Sequence, residues 1–157
     1  KQSADELVFL DINATKENRG TTIALAARLA RELFIPFTIG GGISTLEDIH
    51  ALVNAGADKV IVNTGALEIP ALISDIARVF GTQSTVLSID AKPSNSSDYL
   101  VYSHFGQIPT KWQPWEWAKR GEELGAGEIL ITAIERDGSL EGYDLELTKK
   151  VADAVSV

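Results

Sequence analysis

Two apolar runs of the chain carry an aspartate at or near their ends. LVFLDI (7–12) holds Asp11, and STVLSID (84–90) ends on Asp90, with Lys92 two residues on. A carboxylate at the tip of a buried strand suits general acid–base work, because the loops around it exclude water and tune its pKa. Aspartate also caps helices and loops, but the position at the end of an apolar run favours proton transfer for Asp90. A third run, PFTIGGG (36–42), closes on Gly40, Gly41 and Gly42, and a fourth, KVIVNT (59–64), closes on Asn63 and Thr64. Glycines there serve either a tight turn needing positive φ or a close approach of backbone N–H groups to an anion. Three in succession exceed what a turn requires, and Asn63 and Thr64 add donors, so a phosphate is the expected ligand. No P-loop lysine pattern and no GxGxxG occurs, which argues against nucleoside triphosphates and dinucleotides. Asp137-Gly138, within RDGSLEGYD (136–144), is by itself only a common turn signal. His50 and His104 have no partner at metal-ligand spacing, and the chain has no cysteine, so neither a metal nor a cofactor is expected.

The elements that must position these residues alternate in type. Strands are expected at about 7–12, 36–42, 59–64, 84–90 and 128–134, near-continuous in Val, Ile and Leu as strands covered on both faces tend to be. Between them Leu25, Leu29 and Leu33 step along one helical face, as do Leu46, Ile49 and Val53, and Trp117, Gly121 and Leu124. Ser44 and Glu47 read as a capping box, Pro70 as a first-turn residue, and Gly56, Gly81 and Gly125 as helix stops. Trp112, Trp115 and Trp117 are expected to divide between packing and surface. The order βαβαβαβαβα predicts a parallel sheet of the α/β class in one domain, 1–157. The stretch 91–111 is longer than a connection needs and holds a strand pattern in DYLVYS. A long loop after a strand's C-terminal end is a functional hint, although a decorative insertion would look similar.

A repeat sharpens the architecture. ADELVFLDI (4–12), ADKVIVNTG (57–65) and AGEILITAI (126–134) each set a charge at the third position before an apolar run. Alternation between strands matches the side-chain layers of a closed (β/α) barrel and has no cause in an open doubly wound sheet. Five βα units are too few for eight strands, so a portion of a barrel is expected. The repeat also puts Glu6, Lys59 and Glu128 in one layer at the N-terminal mouth. Charges in a barrel interior are costly unless paired, and two acids to one base leave a negative surplus.

Composition narrows the partners. The net charge of −8 disfavours nucleic acid and anionic membranes, and no 18-residue apolar run marks a membrane span. The absence of cysteine fits a reducing compartment, and no export leader is apparent, so a cytoplasmic location is expected.

FLDI, TIGGGI, GADKVIVNT, SIDAK and GAGEILITAIERDGSLEGYD, in this order and spacing, resemble the cyclase subunit of imidazole glycerol phosphate synthase. The resemblance implies a (β/α)8 TIM barrel of histidine biosynthesis, here the portion from strand 2 to helix 6. It implies a lyase that uses ammonia from a partner glutaminase to convert a bis-phosphorylated ribonucleotide into imidazole glycerol phosphate and aminoimidazole carboxamide ribotide. Carried over residue by residue, it makes Asp90 the catalytic acid/base and Asp11 and Thr132 pocket residues. Gly41, Gly42, Asn63 and Thr64 become one phosphate site, and Asp137 and Gly138 part of a second. Glu6, Lys59 and Glu128 become an ammonia gate, and Asp58 faces the glutaminase. The second catalytic aspartate and the remaining phosphate donors are expected outside this sequence, so the 157 residues alone are expected to be inactive. IPTKWQPWEW departs from the family pattern at Lys111, where glycine is usual. That keeps open a paralogous barrel delivering ammonia in surface-sugar amidation. A non-catalytic phosphate-binding fragment with exposed sheet edges is the other alternative. An isomerase cousin matches SIDAK and GAGEIL less well.

Overall fold

The computed structural model describes residues 4–11, 19–94 and 98–157. Strands β1 (Leu7–Leu10), β2 (Phe37–Gly40), β3 (Lys59–Val62), β4 (Thr85–Pro93) and β7 (Glu128–Ala133) are parallel and lie side by side in chain order. Helices α1 (Arg19–Glu32), α2 (Leu46–Asn54), α3 (Thr64–Glu68), α4 (Ala71–Phe80), α5 (Pro114–Leu124) and α6 (Leu145–Ala152) alternate with them. This is an α/β fold with the architecture of a partial (β/α) barrel, a parallel sheet whose strands are joined through helices. Among the described strands, β1 and β7 each pair on one side only. No described helix is long and apolar enough to cross a membrane. Ile12, the last residue of the run LVFLDI, lies outside the described residues.

Between β4 and β7 the chain makes an antiparallel excursion. The pattern DYLVYS becomes β5 (Tyr99–Ser103), which pairs back onto the C-terminal half of β4 with Asp90 opposite Tyr102, and β6 (Ile108–Pro109) closes it. The hairpin extends β4 to Pro93, beyond the end of STVLSID. At the other run with a chemical tip, β3 stops at Val62, and Asn63 and Thr64 turn directly into α3.

The core forms where the helices cover β2, β3 and β4. Ile49 and Leu52 from α2, Ile73 and Ile76 from α4, and Trp117 from α5 pack with Val60, Val62, Leu87 and Ile89. Burial of such side chains contributes about 1.5–3 kcal/mol each. Trp117 is fully buried, while Trp112 and Trp115 are partly buried against it, so all the tryptophans serve packing.

Two local expectations are corrected. On α1 the buried residues are Thr22 and Ala26, with Leu29 and, just past the helix, Leu33 partly buried against the core, whereas Leu25 is 37% exposed. The capping box of α2 is one residue later than Ser44 and Glu47. Thr45 Oγ1 accepts from Asp48 N–H at 3.2 Å and Asp48 Oδ2 accepts from Thr45 N–H at 3.0 Å. The shorter Asp side chain reaches back across one turn while Glu47 stays in solvent.

Candidate active site

A pocket of about 590 Å³ opens at the C-terminal ends of the parallel strands. The structure brings Asp11, Gly41, Gly42, Asn63, Thr64, Asp90, Thr132 and Asp137 into its lining. Gly138 follows Asp137 in the turn but does not line the pocket, and an added Cβ there would meet nothing within 4 Å.

Asp90 sits where β4 lies between β3 and β7. The register sets Thr132 directly beside it, and Asn63 follows the last paired residue of β3. Asn63 Nδ2 donates to Asp90 Oδ2 at 2.9 Å, and the Thr132 hydroxyl also hydrogen-bonds the carboxylate. Burial pushes the Asp90 carboxyl above its ordinary value. The Asn63 and Thr132 bonds oppose that rise, and the nearby Asp137 charge adds to it. A carboxyl raised by its surroundings holds its proton more tightly than a solvated one, a property that suits general acid–base chemistry.

Asp11 approaches from β1, its N–H donating to Gly40 C=O at 2.9 Å and its Oδ2 accepting from Thr22 Oγ1 at 3.1 Å. The glycines opposite it have structural reasons of their own. Gly41 has φ of +120°, and a Cβ there would lie 2.4 Å from the Asp11 carbonyl oxygen. Gly42, with φ of +63°, borders the same pocket in a conformation that favours glycine. Thr64 begins α3, and its Oγ1 accepts from His104 N–H at 3.1 Å.

The long stretch 91–111, a functional hint in the sequence, does reach the pocket, but the sequence does not single out the residues by which it does so: His104, Phe105 and Gly106 at the hairpin tip all line it. Lys111, the departure from the family pattern, is not in the lining; its ammonium lies 5.4 Å from the Trp112 ring centroid. His50, exposed on α2, stacks edge-on against Phe80. Among the described residues no group of His, Cys, Asp and Glu could hold a metal ion.

At the opposite end of the sheet Lys59 Nζ lies 2.9 Å from Glu6 Oε2 and 2.5 Å from Glu128 Oε1. A further member, Thr38, donates from Oγ1 to Glu6 Oε1 at 2.5 Å. That bond first, and Lys59 second, hold the Glu6 carboxyl below its ordinary value; Glu128 first, and Glu6 after it, hold the Lys59 ammonium above its own. Asp58, exposed beside this layer, accepts from Phe37 N–H at 2.9 Å through Oδ2 and so braces the start of β2.

Comparison with known proteins adds a family to this geometry. Residues 1–157 match the family described as "Histidine biosynthesis protein". The chain is 53% identical over 158 residues to an imidazole glycerol phosphate synthase subunit HisF of Anoxybacillus flavithermus, covering 100% of this chain and 63% of that one. It is 51% identical to the subunit of the same name from a Hydrogenobaculum species and 50% identical to that from Exiguobacterium sibiricum, in both cases over 100% of this chain. Those matches cover 62% and 63% of the relatives, so the chain spans a little under two thirds of their length.

Proposed function

The chain belongs to the histidine biosynthesis protein family, and from that premise we propose that the protein is a cyclase subunit of imidazole glycerol phosphate synthase. It takes ammonia from a partner glutaminase and converts a bis-phosphorylated ribonucleotide into imidazole glycerol phosphate and aminoimidazole carboxamide ribotide. The activity is assigned to the protein at its relatives' full length. A cytoplasmic setting accords with the absence of cysteine.

The observation that carries this reading is the environment of Asp90. A half-buried carboxyl with a raised pKa, oriented by Asn63 and Thr132, faces a pocket whose other wall carries Asp11. In its acid form Asp90 gives a proton to a leaving nitrogen or oxygen, and its carboxylate takes one from the nitrogen that attacks. Gly41, Gly42 and Thr64 hold one phosphate beside it through backbone and hydroxyl donors, while Asn63 orients the acid. Asp137 and Gly138 belong to the turn that meets the second phosphate. Glu6, Lys59 and Glu128 gate ammonia at the far mouth, with Asp58 turned to the glutaminase.

Asp90→Asn tests the assignment. Cyclisation with saturating ammonium should fall by at least about 10²-fold while substrate affinity stays within a few-fold. A variant that keeps its turnover, or loses only binding, removes Asp90 from the chemistry.

A further inference from the structure

The hairpin tip lines the pocket and touches the chain beyond the strands on either side of β4, which carries Asp90. On the β3 side His104 N–H donates to Thr64 Oγ1 at 3.1 Å, and the His104 ring lies 3.7 Å from Glu68. On the β7 side Gly106 rests against Ile134, close enough that a Cβ would meet its Cδ1 at 3.1 Å. Between these anchors stands Phe105, 64% exposed and part of the pocket lining. His104 and Phe105 both have left-handed backbone, with φ of 51° and 59°. Hairpin turns accept such a pair, but usually with Gly, Asn or Asp, and a bulky residue there carries a conformational cost. A large exposed apolar ring is a second liability at a turn, where Gly, Asn and Asp are the ordinary choices.

The chemistry of the pocket explains both. Asp11, Glu68, Asp90 and Asp137 supply carboxylates, and the glycine turn supplies backbone donors. Phosphate and ribose groups are met by the donors. A flat heterocycle needs an apolar or π face, and N–H groups on its rim suit carboxylate acceptors. Among the described residues, His104 and Phe105 are the aromatic side chains in the lining. We infer that Phe105 is the stacking platform for the substrate's aminoimidazole carboxamide ring, held in the lining of the pocket that contains Asp90 by the two contacts of the hairpin tip. The inference rests on the proposed phosphoribosyl function of the same pocket and adds the residue that recognises the heterocycle.

The test compares two probes on the full-length protein by titration calorimetry: aminoimidazole carboxamide ribonucleotide, and ribose 5-phosphate, which keeps the sugar phosphate and lacks the ring. Phe105→Leu should weaken the nucleotide about tenfold and leave ribose 5-phosphate unchanged, as expected when one base–aromatic stack is lost. Phe105→Tyr, which keeps the ring on the same backbone, should restore nucleotide affinity to within about twofold of the parent. Nucleotide affinity unchanged in Phe105→Leu, or both probes weakened alike, overturns the platform while leaving the pocket assignment standing. A parent protein that binds neither probe overturns the phosphoribosyl assignment and the platform with it.

Discussion

Thr38→Val isolates one contact of the charged layer without changing the shape of the site. Thr38 is 1% exposed in the middle of β2, and valine matches it in volume and strand preference. The substitution removes the hydroxyl that donates to Glu6 Oε1 and leaves Lys59 on Oε2. Hydrogen bonds to charged groups are worth about 1.5–3 kcal/mol. The Glu6 side chain is 32% exposed, so solvent screening lowers that value to about 1 kcal/mol. For a chain of this size the loss corresponds to about 2–4 °C in Tm.

The pH dependence carries the sharper information. The folded Glu6 pKa lies below its ordinary 4.5, with the Thr38 bond as the largest cause. A lowered carboxyl contributes stability that is present above the unfolded pKa and is lost as pH falls through the folded value. In Thr38→Val the folded pKa moves back toward 4.5, so less of that stability exists to be lost. Urea titrations at intervals from pH 7 to about pH 3.5 should show the gap between parent and variant at full size near neutrality and narrowing below about pH 4.5. A gap that is constant across this range, or that widens on acidification, would refute the charge-assisted bond and leave only packing.

Three other outcomes follow from the same geometry. Burial raises the Asp90 pKa, so its ionised form destabilises the fold as pH rises through the folded value; Asp90→Asn should therefore be more stable than the parent at pH 7, with the difference vanishing below about pH 3.8. Gly41→Ala should lower stability by at least about 2 kcal/mol in urea titration, since it adds a left-handed strain to a Cβ 2.4 Å from the Asp11 carbonyl. Lys59→Met leaves Glu6 and Glu128 facing each other without their cation, so glutamine-coupled turnover should change by a different factor from turnover on free ammonium. Equal factors would separate the layer from ammonia entry.

The charged layer was legible in the sequence because strand periodicity is strict. Three segments with a charge at the same offset from an apolar run fall into one layer whatever the loops between them do. Thr38 escaped notice because threonine in a strand is already explained by β propensity, and its bond to Glu6 joins residues 32 apart. Legibility failed in a different way at α2. Ser44 and Thr45 can both cap, Glu47 and Asp48 can both answer, and only backbone geometry chooses Thr45 with Asp48. The hairpin was visible as a strand pattern in DYLVYS. The length of 91–111 also hinted at function, but not which residues reach the pocket, because the pairing of Tyr102 with Asp90 that brings residues 104–106 into its lining is non-local.

Side-chain parity joins the two ends of the molecule. Residues two apart on a strand share a face, so Glu128 and Lys59 at one end share theirs with Thr132 and Asn63 at the other. Four residues of strand put roughly 13 Å between the charged layer and Asp90. On the same face between them lie Val8, Ile61, Val86 and Leu130, together with the buried Ser88 beside Leu130, and Gly40 is set so close to Ile61 that a Cβ would meet it at 2.8 Å. A largely apolar middle layer opposes an ion far more than a small neutral molecule, because a charge loses most of its hydration there and gains no opposite charge. Ammonia meets that requirement and ammonium does not. Under the proposed function, that order of layers, charged, largely apolar, then carboxylate, suits the passage of a neutral nitrogen nucleophile toward Asp90. A one-residue slip of β3 would reverse the face of Lys59 and Asn63 together, removing the cation from the mouth and the donor from Asp90 in the same step.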